Sequence, residues 1–381
     1  GAEKPYMLFV QSRDPERETW TGRRHGPEGA VTLFGADEAH PWDELAGQLP
    51  ALLTGTHTLH YAFAEDAERD RLVAGSVQRA RRLARRNHLP VPDAFIDPSR
   101  LLHELRLKKT DEELAVMQRA ADITAEGHRN AMARTAPGVF EYELESELLH
   151  TFRRRGGTGP GYSCIVGGGV NATILHYITN DCALQDGDLV CVDAGCEVSG
   201  YTADVTRTWP VNGTFTDAQR ELYQLVLDAE LAAIALCKPG STFMEVHEAT
   251  QRHLTQGLVR LGFLEGDADD KDCIDTLVAD EKYKRWYMHG TSHWLGLDVH
   301  DVGSYNRAGQ SRPLEPGMVL TIEPGLYVPA DDEQAPERFR GIGIRIEDDV
   351  CITDGEPRVL TAAIPKTIED VEAAVRAGKQ A

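Results

Sequence analysis

The chain has 381 residues, with 40 Lys or Arg against 61 Asp or Glu, a formal net charge of −21. That balance argues against a nucleic-acid partner, which needs clustered Lys and Arg, and against docking on anionic membranes. With 41% apolar residues but no apolar run near 20 residues, a large soluble core in two or three domains is expected and a transmembrane helix is not. Excess carboxylate can mean solubility alone or a supply of hard metal ligands. Seven Cys, an odd number without a CxxC spacing, point to a reducing cytoplasm rather than a disulfide framework. The opening Gly-Ala-Glu, with no Met, suggests a processed or truncated start.

Residues 1–105 read as a small α/β domain. Tyr6–Val10 and Ala30–Phe34 are strand candidates, and Trp20 sits in a Thr-rich run. Asp66–Asn87 is a helix whose Arg residues are offset by Glu65, Asp66, Glu68 and Asp70, hence a solvated face. Pro90, Pro92 and Pro98 mark the boundary of a second domain, residues 106–381.

There Thr110-Asp-Glu-Glu113 is a capping box opening a helix to about Arg134. Ala136-Pro-Gly138 breaks it, and a helix from about Glu141 to Arg155 follows. The pattern recurs. Thr216-Asp-Ala-Gln219 opens a helix to about Cys237, Pro239-Gly240 breaks it, and another helix spans about Glu245–Leu261. After each helical pair stands Leu-x-x-Gly-x-x-x-x-(Val/Ile)-(Asp/Glu)-x-Gly, at Leu184–Gly195 and Leu314–Gly325. The second half also carries an insertion, about Gly266–Trp286. A duplication of two α/β halves about a pseudo-twofold accounts for this order.

Charged side chains in apolar strands are costly unless paired or bound to metal. Asp193 ends Leu189-Val-Cys-Val-Asp193, and Asp204 follows after a turn through Val198-Ser-Gly200. A hairpin centred between Val198 and Ser199 would set the two acids opposite each other on one face. Glu323 and Glu347 repeat the arrangement, Glu323 matching Asp193 and Glu347 matching Asp204, with Arg345 on the face of Glu347. The alternative, strand-end acids paired with Arg207 and Arg345, suits one acid better than four in duplicated positions.

His289, His293 and His300 fall within twelve residues, and His176 follows the Gly167–Gly169 run. The His289–His293 pair lacks the Glu of HExxH, and the Gly run lacks the Lys and Ser/Thr of a P-loop. Four carboxylates with one or two His suit Mn²⁺, Mg²⁺, Co²⁺ or Zn²⁺. They suffice for two ions about 3.5–4 Å apart with a bridging hydroxide.

These residues resemble the pita-bread metallopeptidases, in particular the aminopeptidase P group. The resemblance rests on LHY at 175–177, DAGCEVSGYTADVTRTWPVNG at 193–213, HGTSHWLGLDVHDVG at 289–303, LEPGMVLTIEPGLYV at 314–328 and RGIGIRIEDDV at 340–350. A looser match surrounds WTGRRHG at 20–26. The resemblance implies two divalent cations, most simply Mn²⁺, held by Asp193, Asp204, His293, Glu323 and Glu347. Asp193 would bind one ion, His293 and Glu323 the other, and Asp204 and Glu347 both. It implies Glu323 as proton shuttle and His300 at the oxyanion, with His176 and His289 in the substrate site and His289 near a proline ring. Arg345 would orient Glu323 or meet a downstream substrate carbonyl, Tyr327 would lie nearby, and Trp20 would reach a neighbouring subunit's site in a homodimer or homotetramer. The implied activity removes an N-terminal residue that precedes proline. Prolidase shares the five ligands, methionine aminopeptidases usually lack the large N-terminal domain, and non-catalytic pita-bread modules typically lose ligands.

Overall fold

A computed structural model of the chain describes residues 6–85 and 88–378. The chain divides into two compact units at Leu102/His103.

In the first unit, Met7–Val10 pairs in parallel with Glu38–Pro41, and Thr58–His60 in parallel with Ala94–Ile96. The helix Ala67–Ala84 starts at Asp66, whose carboxylate accepts from the Glu68 and Arg69 N–H groups, and it buries only Ser76, Val77, Ala80 and Ala84. Val77 and Ala80 pack on Leu53 and Leu49, so the Arg face is left to solvent. The predicted end of this helix at Asn87 lies outside the described residues. Ala30–Phe34 is not a strand. It forms the second half of a helix, Gly26–Phe34, with Pro27 at its first turn and Gly35 in left-handed backbone at its end. Val31, Leu33 and Phe34 are exposed and only Ala30 turns inward, so no pleated face is buried to favour β structure.

The second unit follows the duplicated pattern. The Thr110 capping box is formed at both bonds, and its helix spans Asp111–Arg134. Glu141–Arg154 packs against it. The second pair, Asp217–Ala235 and Phe243–Arg260, opens on capping boxes at Thr216 and Thr242. Helix Ile368–Gly378 packs on Asp111–Arg134. The insertion contains the α-helix Lys271–Ala279, capped by Asp270, and a 3-10 turn, Lys282–Arg285.

In the first half, Leu189–Asp193 lies between Ile165–Gly168 and Thr206–Pro210, antiparallel to both. In the second, Val319–Ile322 pairs antiparallel with Asp348–Cys351. Each ladder runs on into a shorter hairpin, Cys196–Val198 with Tyr201–Thr202 and Gly325–Tyr327 with Gly343–Arg345. All residues of Leu189–Asp193 and Thr206–Pro210 are buried, as expected of strands covered on both faces. Trp209 is fully buried and donates its indole N–H to Thr135 Oγ1 at 2.9 Å, fixing the sheet to the first helix. Cys191 and Cys351 are buried core thiols.

The hairpin register differs from the expected one by two residues. Asp193 stands opposite Thr206, and the turn is Ser199-Gly200, both in left-handed backbone (φ 52° and 86°). A two-residue turn of this kind matches the twist of the flanking strands. Asp204 is therefore diagonal to Asp193, but an even shift preserves the face. In the second half, Ile322 opposes Asp348, so the next positions along the ladder are Glu323 and Glu347. Glu347 thus holds the ladder place of Thr206, not of Asp204.

Candidate metal centre

The two ladders break where the acids stand. Between Asp193 and Cys196 the chain crosses its partner so closely that a Cβ on Gly195 would lie 1.7 Å from the Ala203 carbonyl oxygen. Asp193 is the last residue of its ladder and Asp204 lies just beyond the end of it, while in the other half Glu323 directly follows Val319–Ile322 and Glu347 directly precedes Asp348–Cys351.

Each of these residues is held from behind, by its side chain or its backbone. Asp193 accepts from the Tyr162 hydroxyl at 2.5 Å and from Arg345 Nη2 at 2.7 Å. The Asp204 N–H donates to the buried Asp349 carboxylate at 3.2 Å. Glu323 donates its N–H to the Thr291 carbonyl at 2.8 Å. Glu347 accepts from Thr206 Oγ1 at 2.6 Å and donates its N–H to the Thr206 carbonyl at 3.0 Å. His293 donates Nδ1–H to its neighbour's carbonyl, that of Trp294, at 3.0 Å. Its Nε2 then faces Asp204 Oδ2 at 3.2 Å and Glu323 Oε1 at 3.5 Å. A metal-binding imidazole commonly has this arrangement, one nitrogen tied to a carbonyl and the other aimed at the acids.

The charges do not balance within the protein. Arg345 pairs with Asp193, and its other nitrogens go to Thr206 Oγ1 and the Tyr327 hydroxyl, so of the two roles expected of it the orienting of Glu323 is not made. Arg207 donates to the Glu347 backbone carbonyl but pairs with none of the four carboxylates. It is buried against Asp348, which also pairs with Lys366, and Lys366 reaches Glu230. Among the described residues no Lys or Arg pairs with Asp204, Glu323 or Glu347. Burial, and then the neighbouring acids, push the Glu347 carboxyl well above the carboxylate range and that of Glu323 up to about 7, despite His293 and Arg345. Burial likewise raises Asp193 against the pull of Arg345. At His293 burial opposes the charged form, but Asp204 and Glu323 outweigh it and push the ring up to about 9.

This is a site short of positive charge. Ligand atoms of Asp204, His293 and Glu347 all lie within 4.8 Å of one another. Oxygen donors with one imidazole and no thiolate fit Mn²⁺, Mg²⁺, Co²⁺ or Zn²⁺.

The acids open on a cavity of about 470 Å³. His176, His289, His300 and Arg345 line it with the five candidate ligands, while Ile165, Leu175, Ile178 and Val299 give it an apolar side. The His300 ring meets that of His293 edge-on at 4.4 Å, and burial followed by His293 lowers its pKa. Burial and then Arg345 hold His289 down to about 3, so it is a neutral ring. Its Nε2 meets the Tyr327 hydroxyl at 2.8 Å. Tyr327 itself is buried behind His289, not on the cavity wall. Trp20 belongs to the first unit, on helix Pro15–Thr21, where it is 85% exposed.

Sequence reasoning missed Tyr162, Thr206 and Asp349. Thr206 was recoverable, since the correct turn sets it opposite Asp193. Tyr162 reaches the site from a Gly-Pro-Gly stretch with no spacing that ties it to the acids.

A duplicated α/β fold with a carboxylate and histidine cluster where its halves meet defines a pita-bread metallohydrolase. The chain belongs to metallopeptidase family M24, whose profile matches residues 115–354, while residues 2–60 match the aminopeptidase P N-terminal domain. It is 47% identical over 374 residues to the Xaa-Pro aminopeptidase of Escherichia coli, covering 98% of this chain and 83% of that one. It is 37% identical over 366 residues to human Xaa-Pro aminopeptidase 3, covering 96% and 69%. Among solved structures it matches the aminopeptidase PepP of Pseudomonas aeruginosa, with TM-score 0.93, 45% identity and 98% and 83% of the two chains. The zinc-substituted E. coli aminopeptidase P in complex with product matches with TM-score 0.91, 46% identity and 97% and 82% coverage.

Proposed function

We propose that this chain is an Xaa-Pro aminopeptidase, releasing the N-terminal residue of peptides whose second residue is proline. The observation that carries the reading is the convergence of Asp193, Asp204, His293, Glu323 and Glu347 on the wall of one cavity that Ile165, Leu175, Ile178 and Val299 also line, in a chain similar throughout to Xaa-Pro aminopeptidases.

Two divalent cations, most simply Mn²⁺, held by these five side chains would supply the Lewis acidity and the activated water. Asp193 would hold one cation, His293 and Glu323 the other, and Asp204 and Glu347 both. The remaining work belongs to the protein. Glu323 takes the proton of the attacking water and returns it to the proline nitrogen, which must be protonated to leave. His300 donates to the oxyanion of the tetrahedral intermediate. His176 and the neutral His289 shape the substrate site, with His289 beside the proline ring. Arg345 fixes Asp193 through a bond at 2.7 Å and carries the Tyr327 hydroxyl that faces His289.

Residues 1–105 we assign to assembly and substrate access in a homodimer or homotetramer. The exposure of Trp20 supports a role at a neighbouring subunit's site. Trp20→Ala should then raise KM in the assembled enzyme, and an unchanged KM would remove Trp20 from the site.

The activity is tested with an Xaa-Pro-Xaa tripeptide and the Xaa-Pro dipeptide, assayed side by side with added Mn²⁺. Release of the first residue from the tripeptide is expected. Cleavage confined to the dipeptide would make the enzyme a prolidase instead.

A further inference from the structure

Glu141 lies outside the candidate centre, yet it receives more hydrogen bonds than any of the acids there. It is the first residue of helix Glu141–Arg154 and is fully buried. Its Oε1 accepts from the Gly168 N–H at 2.7 Å and from Asn171 Nδ2 at 3.0 Å. Its Oε2 accepts from the Tyr177 hydroxyl and the Cys182 N–H, both at 2.9 Å. Capping does not require it, because Glu143 already accepts from the helix's Phe140 N–H at 3.1 Å. With Asp181 and Cys182 it forms a group of metal-capable side chains. Four N–H and O–H donors aimed at its two oxygens suit an anion holding protein groups, not a cation.

The four donors span residues 168–182, and between them lie Leu175, His176 and Ile178, which line the cavity. One turn along the same helix, Glu145 accepts from Asn180 Nδ2 at 3.1 Å. Asn180 Oδ1 in turn accepts from the Val166 N–H at 3.0 Å. The segment is thus tied to the helix at both ends, and His176 makes no hydrogen bond of its own among those described. We infer that Glu141 is a positioning residue for the substrate site: its carboxylate fixes the Gly168–Cys182 segment and so places His176. The inference rests on the reading of the cavity as the peptidase site.

Glu141→Gln is the sharp probe. Whichever way its amide turns, the NH₂ faces a backbone N–H, that of Gly168 or of Cys182, so one buried bond is lost and two donors are opposed. The test is a double-mutant cycle with His176→Ala, reading kcat and KM on an Xaa-Pro-Xaa tripeptide with Mn²⁺, alongside Tm and bound metal. Glu141→Gln is expected to lower kcat/KM about tenfold, dividing between kcat and KM as His176→Ala does. In the double variant the Glu141 change should add less than about twofold, because its effect runs through His176. Tyr177→Phe removes a single donor and repeats the cycle with a smaller loss if Glu141→Gln does not fold. Penalties that multiply, or an unchanged kcat/KM in both folded variants, would overturn the inference. A His176→Ala enzyme with wild-type kinetics overturns the reading of the cavity and the inference with it.

Discussion

Glu323 and His128 show how burial acts on two titratable groups with opposite consequences. Burial, with Asp204 and Asp193 close by, pushes the Glu323 pKa up to about 7, so the metal-free protein gains little from its charge. Glu323→Ala should therefore fold with an unchanged or higher Tm without metal, while kcat falls by at least about 10²–10⁴-fold, the usual share of a positioned acid–base group. Near-normal kcat would remove Glu323 from the proton transfer. His128 is fully buried, and its Nε2–H donates to the Ala194 carbonyl at 3.0 Å, one residue from Asp193. Among the described residues its Nδ1 has no hydrogen-bond partner, and burial lowers its pKa from 6.5 to about 4. The unfolded chain therefore takes up this proton first as pH falls. The stability His128 contributes is complete above pH 6.5 and is lost between there and about pH 4. Urea unfolding should show about 2 kcal/mol of this loss between pH 7 and pH 5. His128→Gln should flatten that part of the profile, and an identical slope would contradict the assignment.

At the scale of elements, the break in each ladder turns strand residues into a site. Gly195 is the tightest point, and a methyl group there meets the Ala203 carbonyl directly. Gly195→Ala should cost about 2–3 kcal/mol of stability by forcing the crossing chains apart. It should also weaken metal binding, because Asp193 and Asp204 separate with them; calorimetric titration with Mn²⁺ checks this. The hairpin itself was legible from its apolar runs and its acids. Its register was not, because a turn through Val198-Ser-Gly200 admits more than one centre, and φ at Ser199 decides between them. The face of Asp204 survived the error because the shift is even. Helix Gly26–Phe34 departs from the expected strand for a related reason: Val31, Thr32 and Phe34 favour strands, and only tertiary context shows that no sheet among the described residues receives them.

Across the whole molecule, the duplication was the most legible feature. Capping boxes and Gly spacings lie in the local sequence, and the observed helix Asp111–Arg134 ends where its breaker predicts. Less legible were contacts made at long range. Arg207 has the spacing of a partner for the acids, yet it is drawn to Asp348 in a separate buried network with Lys366 and Glu230. Only the packed structure shows that this leaves three of the four acids without a Lys or Arg among the described residues. That deficit of positive charge supports the proposal of two bound cations, and it gives the central claim its most direct test. Protein stripped by chelator is titrated with Mn²⁺ while release of the first residue from an Xaa-Pro-Xaa tripeptide is followed. The account predicts no turnover without metal, activity rising to saturation as two ions bind per chain, and a Tm that rises in step. Full activity in the presence of chelator, or saturating Mn²⁺ with no cleavage, would contradict it.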